Sequence, residues 1–146
     1  MQTFLPYPNF DESAQVLDYK RLGKQRVETF QLINAINGVN AKGEPAKGWV
    51  NHPAAVMWRG YEQALVVYGI AMCREWIHRQ YNDTMLPRFE AMLDSSAPKL
   101  DLPSWLGRDE IHISHQSNLL RKDPEFYGLC FPGIPHDLPY VWPGES

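Results

Sequence analysis

Cysteine is scarce in this sequence, and its scarcity limits both the compartment and the chemistry. The 2 cysteines, Cys73 and Cys130, are too few and too far apart for a disulfide framework or a zinc cluster. Two isolated thiols are typical of a reducing cytosol, so we expect a cytoplasmic protein. The histidines lack a third ligand at convincing spacing, so we expect no metal site and no other cofactor.

Long hydrophobic runs and an excess of positive charge are also missing. The longest apolar run, Ala64–Cys73, is too short to span a bilayer, and Met1–Pro6 lacks the features of a secretory signal, so no membrane association is expected. The net charge of −3 gives no general attraction to nucleic acid. Any DNA binding must therefore depend on a local patch, and the segment Lys20–Arg26, with its 4 cations and no acid, supplies one.

The motifs of several common enzyme classes are absent. The chain contains no phosphate-binding Walker loop, no dinucleotide-binding glycine pattern, no nucleophile elbow and no HExxH zinc motif. These absences remove nucleotide triphosphatases, dinucleotide enzymes, common serine hydrolases and zinc proteases from the leading candidates.

The composition that is present indicates one globular domain. With 146 residues, 44% apolar residues and 5 tryptophans, the chain can bury a core without disulfides. Helical spacing recurs and no strand pattern stands out, so we predict an all-α, compact single domain over residues 1–146. The predicted elements are two long helices, Asp11–Asn37 and Pro53–Tyr81, shorter helices at Asp83–Leu93 and Asp109–Lys122, and a Pro- and aromatic-rich C-terminal tail that packs onto the helices.

The first long helix has a charged cluster within an apolar stripe. Residues three or four positions apart share a helix face, and the opposite face is apolar, so we expect protein to cover both sides and leave the cluster partly dry. Alternatively, the charges form surface ion pairs worth roughly 0.3–0.5 kcal/mol each. The cluster comprises Asp18, Arg21, Lys24, Gln25 and Glu28, and the opposite face comprises Val16, Tyr19, Leu22, Val27, Phe30 and Ile33.

The last predicted helix is a second candidate site because polar residues dominate it. His115, Asn118 and Lys122 share one face, and Gln116 lies beside them. Imidazole, amide and ammonium groups in a row suit contacts with phosphates, sugars or base edges, although a polar surface helix would look the same. Two further candidates are Arg59, between two aromatic residues, and His52, whose simpler role is to cap a helix.

Three groups of residues follow one another along the chain: Gln15, Leu17, Arg26 and Val27 in the first helix, Pro53, Gly60 and Tyr68 in the second, and His115, Ser117 and Tyr127 towards the C-terminus. In their order and spacing the chain resembles the pyrimidine dimer DNA glycosylase family. The resemblance extends over most of the chain, although none of its motifs is specific alone. It implies a compact all-α fold, cleavage of the N-glycosidic bond of a damaged, flipped-out pyrimidine, and strand nicking through a Schiff base.

Two positions depart from the family pattern. The family's nucleophile is the α-amine of an N-terminal Thr, whereas here Gln2 follows Met1 and Thr3 lies one place later. The family's first-helix Glu falls on Gly23 in a gapless alignment, and the nearest acids are Asp18 and Glu28.

The resulting hypothesis is a DNA repair N-glycosylase for damaged or modified pyrimidines, with DNA as its partner and no obligatory protein partner. A hydrolase acting on a free or modified nucleotide and a non-catalytic nucleic-acid or protein-binding module are the alternatives. The predicted catalytic residues are Glu28 and Asp18, with Lys24 as the amine of a lyase step. The predicted DNA-binding residues are Lys20, Arg21, Gln25, Arg26, His52, Arg59, His115, Gln116, Asn118 and Lys122.

Overall fold

Helices form all of the regular secondary structure in the residues that the structure, a computed structural model, describes. These are residues 2–40, 42–45, 48, 50–94 and 100–143, and within them the only β-pairing is an isolated bridge between Val39 and Pro45. The predicted all-α fold is confirmed. The helices are α1 (Phe10–Val16), α2 (Tyr19–Ile36), α3 (Pro53–Trp58), α4 (Glu62–His78), α5 (Leu86–Met92), α6 (Asp109–Lys122) and α7 (Pro124–Tyr127).

The helix α4 lies at the centre of the fold because it is apolar on nearly every side. Its run Ala64–Cys73 is buried except at Val67, as a helix surrounded by protein requires. It packs against α1, α2 and α5, and one continuous apolar cluster joins them. In the part of the chain that is described, no helix is long and apolar enough to cross a membrane.

The predicted first long helix is wrong in one respect, because the chain leaves the helical conformation at Leu17 and Asp18. Both residues are extended, and the Asp18 carboxylate accepts the Arg21 N–H as the N-cap of α2. The Asp side chain hydrogen-bonds to nearby backbone N–H groups, so Asp is preferred at a cap position rather than in a helix interior. Arg79 donates to the carbonyls of Ala14 and Gln15 at 3.2 and 3.0 Å and so satisfies the end of α1.

The predicted second long helix is also divided, at Arg59–Tyr61. Gly60 adopts φ +89°, a conformation that a side chain disfavours, and this turn separates α3 from α4. His52 caps α3, since its Nδ1 accepts the Ala54 N–H at 3.0 Å. The last predicted helix, Asp109–Lys122, is confirmed at both ends as α6.

Protein covers the far face of α2 less completely than the sequence predicts. Leu22 and Ile33 are buried, but Tyr19 is 52% exposed and Val27 is 43% exposed. We expected protein to cover both faces of this helix, and that expectation was wrong for its start and middle.

The two ends of the described chain pack onto α6. The N-terminal segment, defined here as Gln2–Pro6, is buried from Thr3 onwards. The predicted packing of the C-terminal tail is confirmed, because the N–H groups of Leu138 and Val141 donate to Ser117 Oγ and Ser114 Oγ at 3.0 and 3.2 Å. Met1 lies outside the described residues.

Candidate active site

A cleft of about 550 Å³ lies between α2, α6 and the two packed chain ends. Four cationic side chains and one carboxylate line it, so the wall is mostly positive although the whole chain is acidic. The lining residues are Gln2, Phe4, Lys20, Arg21, Lys24, Gln25, Glu28, His52, Lys122, Tyr140 and Trp142.

Helix α2 supplies most of the charge because its polar residues recur at helical spacing. Lys20, Lys24 and Glu28 are each four positions apart, which places them on one face, and Arg21 lies beside them. Lys122 faces the same cleft from the end of α6. The sequence alone did not indicate whether the α2 cluster and the last helix face each other, and in the structure Lys122 is the residue that α6 contributes to the cleft.

Gln25 connects Glu28 to the N-terminal segment. Its buried side chain donates from Nε2 to the Gln2 carbonyl at 2.8 Å and to Glu28 Oε2 at 3.3 Å. Its Oε1 accepts the Phe4 N–H at 3.1 Å and lies 2.5 Å from the Tyr68 hydroxyl. This network fixes the orientation of the Glu28 carboxylate at the cleft wall.

Two histidines of α6 hold the backbone N–H and carbonyl of Leu5 in the N-terminal segment. The Leu5 N–H donates to His115 Nδ1 at 2.9 Å, and the Leu5 carbonyl lies 2.8 Å from His112 Nδ1. His112 Nε2 accepts the Gly107 N–H, so its Nδ1 is the nitrogen that donates to Leu5. Burial is the largest cause that lowers the pKa of His115, to about 3, with a smaller effect of the neighbouring His112, so His115 is neutral and able to accept.

Comparison with known proteins identifies the family of the chain. A family model described as pyrimidine dimer DNA glycosylase matches residues 1–88, more than half of the chain. The chain belongs to this family. No curated protein and no solved structure matches it. The residues matched by the glycosylase family model include the part of the cleft from Gln2 to His52, whereas Lys122, Tyr140 and Trp142 lie beyond them.

Asp18, a predicted catalytic residue of this glycosylase family member, lies outside the cleft lining. It is 7% exposed, and Tyr127 donates to its Oδ1 while the Arg21 guanidinium lies 3.1 Å away. Burial opposes ionisation, but the Tyr127 hydrogen bond and Arg21 lower the pKa of Asp18. Asp18 therefore serves as the N-cap of α2, and its oxygens already have partners within the protein.

Besides Gln25, His52 and His115, four more predicted DNA-binding residues have partners within the protein. Arg26 pairs with Asp83, and Arg59 donates to the carbonyl of Val50. The remaining two lie on α6: Gln116 donates to the Pro6 carbonyl at 2.7 Å, and buried Asn118 donates to the Ser114 carbonyl and accepts from Arg121. Asn118 also donates to the Leu138 carbonyl at 3.2 Å, so the two α6 residues, together with His115, hold the chain ends in place rather than forming a polar surface face.

Sequence reasoning missed Phe4 and the two aromatic residues that the C-terminal tail contributes to the cleft lining. Tyr140 packs perpendicular to His115, with ring centroids 5.7 Å apart, and Trp142 packs against His52 at 6.2 Å. Burial is the largest cause that raises the pKa of Tyr140. The signal available in the sequence was the aromatic-rich tail, but nothing in the sequence indicated which helices it would reach.

Thr3 occupies an interior position in this member of the glycosylase family. Its side chain is buried, its Oγ accepts the Trp58 indole N–H at 3.0 Å, and its own N–H donates to Gln2 Oε1.

In the described part of the chain, no three His, Cys, Asp or Glu side chains come together as metal ligands would.

Proposed function

We propose that this chain is a DNA glycosylase that releases damaged pyrimidines, and that the cleft between α2 and α6 is its active site. The supporting observation is the placement of Glu28 in one cleft with Lys20, Arg21, Lys24 and Lys122. Membership of the pyrimidine dimer DNA glycosylase family supports DNA as the substrate.

The cationic side chains bind the DNA backbone in this proposal. Lys20, Lys24 and Lys122 are exposed, so their ammonium groups are free to neutralise phosphates around the cleft mouth. The target nucleotide must leave the base stack before its sugar can reach Glu28. A volume of about 550 Å³ is within the usual range for pockets that enclose small ligands, which suits one flipped nucleotide.

Glu28 acts on the sugar as the N-glycosidic bond breaks. The departing base takes the bonding electron pair, and positive charge develops at C1′ and the ring oxygen. A carboxylate at that position stabilises the charge or accepts a proton from the attacking water. The hydrogen bond from Gln25 Nε2 holds Glu28 in one orientation, which a reacting geometry requires.

Lys24 supplies the amine if strand cleavage follows. Its nitrogen attacks C1′ and forms a Schiff base with loss of water from the opened sugar. Removal of a C2′ proton then expels the 3′ phosphate with its electron pair. Lys24 lies one helical turn from Glu28, so both side chains reach the same sugar.

The test uses a labelled duplex that contains a cis-syn thymine dimer, with base release and strand nicking measured separately. Borohydride reduces a Schiff base and so traps the enzyme on the DNA. Lys24→Arg keeps the positive charge but removes the nucleophile, whereas Lys20→Arg is the matched control. We expect release by the wild type, trapping by Lys20→Arg and no trapping by Lys24→Arg. Absence of base release from pyrimidine lesions would contradict the proposed function.

The acidic net charge favours a free nucleotide as the alternative substrate, and salt dependence separates the two functions. A DNA-binding form loses affinity with a slope of about −0.9 in log K per phosphate neutralised, so the four cleft cations predict a slope of up to about −3.6. Little affinity for duplex DNA at low salt, together with hydrolysis of a free nucleotide, would favour the alternative.

A further inference from the structure

A stack of three aromatic rings lies on the outer surface of α2 and does not belong to the cleft. The Trp76 and Tyr81 rings stack with centroids 4.3 Å apart, and Tyr81 stacks with Tyr19 at 6.4 Å. Gly23 allows this arrangement, because a Cβ there would lie 3.0 Å from the Trp76 ring.

Packing within the protein accounts for the inner end of the stack. Trp76 donates from its indole to the Asn82 carbonyl at 2.8 Å, and the Arg26 guanidinium lies 4.5 Å from its ring centroid. The two outer rings are more accessible to solvent, since Tyr81 is 42% exposed and Tyr19 is 52% exposed. A large apolar ring that remains half exposed at the end of a stack leaves stacking surface available.

One lysine, Lys20, contacts both the aromatic stack and the cleft. Lys20 Nζ lies 6.0 Å from the Tyr19 ring centroid, and the same lysine lines the cleft with Arg21. A cation beside a half-exposed aromatic ring is the combination with which proteins bind unpaired nucleotides, because phosphates contact the cation and bases stack on the ring. Proteins and lipid surfaces lack this alternation of phosphate and flat base.

We infer that Tyr19 forms a second nucleic-acid contact, on which an unpaired nucleobase of DNA stacks while Lys20 holds the adjoining phosphate. The inference rests on the proposed function, because it assumes that DNA occupies the cleft. It adds a stacking site outside the active site, and it requires an unpaired base near the lesion.

The test measures binding rather than catalysis. The DNA probes are a fully paired duplex and the same duplex with one bulged 2-aminopurine, whose fluorescence falls when it stacks on an aromatic ring. The wild type should bind the bulged duplex more tightly and quench its fluorescence. Tyr19→Leu, which keeps an apolar side chain without a ring, should lose about five-fold or more of the affinity for the bulged duplex, whereas Tyr19→Phe should retain it.

The outcomes separate this inference from the proposed function. The stacking site would be overturned if Tyr19→Leu quenched the fluorescence and preferred the bulged duplex as strongly as the wild type does. It would also be overturned if the wild type did not prefer the bulged duplex over the paired one, even if base release continued. A preference that depends on Tyr19, in a protein that releases no base, would support the stacking site and contradict the glycosylase activity. Thermal unfolding of both variants checks that the fold is intact. Because Tyr19 is half exposed, replacing its side chain should change the stability of the fold little.

Discussion

At the scale of single residues, the surroundings of two carboxylates on the same stretch of chain separate their roles. Asp18 contacts the Arg21 N–H, the Arg21 guanidinium and the Tyr127 hydroxyl. Glu28 lines the cleft and receives a hydrogen bond from Gln25. A capping carboxylate stabilises the fold, and a carboxylate at a cleft wall is available to a substrate.

Substitution of Asp18 should therefore affect stability more than chemistry. Asn is as good an N-cap as Asp, so Asp18→Asn should retain most of the base release, whereas Asp18→Ala should lower the free energy of unfolding by about 1 kcal/mol. Chemical denaturation and the glycosylase assay measure the two effects. A folded Asp18→Asn protein without base release would show that the carboxylate takes part in catalysis.

At the scale of helices, the chain breaks at two places where the sequence predicts continuity. Apolar spacing continues through Asp18 and through Gly60, so the hydrophobic pattern alone cannot locate the breaks. Local chemistry decides them, because Asp prefers the cap position and Gly allows the positive φ of the turn. The helix α6, which has charged residues at both ends and Asp123-Pro124 after it, was predicted to the residue.

The turn at Gly60 gives a prediction at this scale. No atom lies within 4 Å of a Cβ added to Gly60, so Gly60→Ala costs only the strain of φ +89°, about 1 kcal/mol in the free energy of unfolding. Gly48 also has open space around it but has no positive φ in that region, so Gly48→Ala is the control and should be neutral or slightly stabilising. Equal stability changes in the two variants would contradict this explanation.

At the scale of the whole molecule, the cleft depends on segments that are distant in sequence. The sequence predicted the cluster on α2 because helical spacing brings its members together. It could not predict that His115 and Asn118 would turn inward, since burial of α6 depends on where the two chain ends pack. Leu5, 110 positions before His115, is joined to it by one hydrogen bond.

This long-range contact predicts how stability depends on pH. The pKa of His115 is about 3 in the folded protein and 6.5 for an ordinary His, so the unfolded state binds the extra proton first as the pH falls. The contribution of His115 is complete above pH 6.5 and is lost as the pH falls towards 3. Between pH 7 and 5 the free energy of unfolding should fall by about 2 kcal/mol from this group.

The control for the pH dependence is a histidine on the surface. His115→Asn removes the titrating ring but leaves an acceptor for the Leu5 N–H, so unfolding at several pH values should show a weaker pH dependence. His136 is exposed, and His136→Asn should show the same dependence as the wild type. An unchanged dependence in His115→Asn would mean that another group is responsible.

The most direct measurement is the rate of base release by Glu28→Gln from a thymine-dimer duplex with enzyme in excess. The amide has the same shape as the carboxylate but no charge, so we expect a rate lower by about 100-fold or more, with DNA affinity nearly unchanged. Glu90→Gln, at an exposed position of α5, is the control and should react at the wild-type rate. Base release by Glu28→Gln at the wild-type rate would contradict the assignment of Glu28 as the catalytic carboxylate.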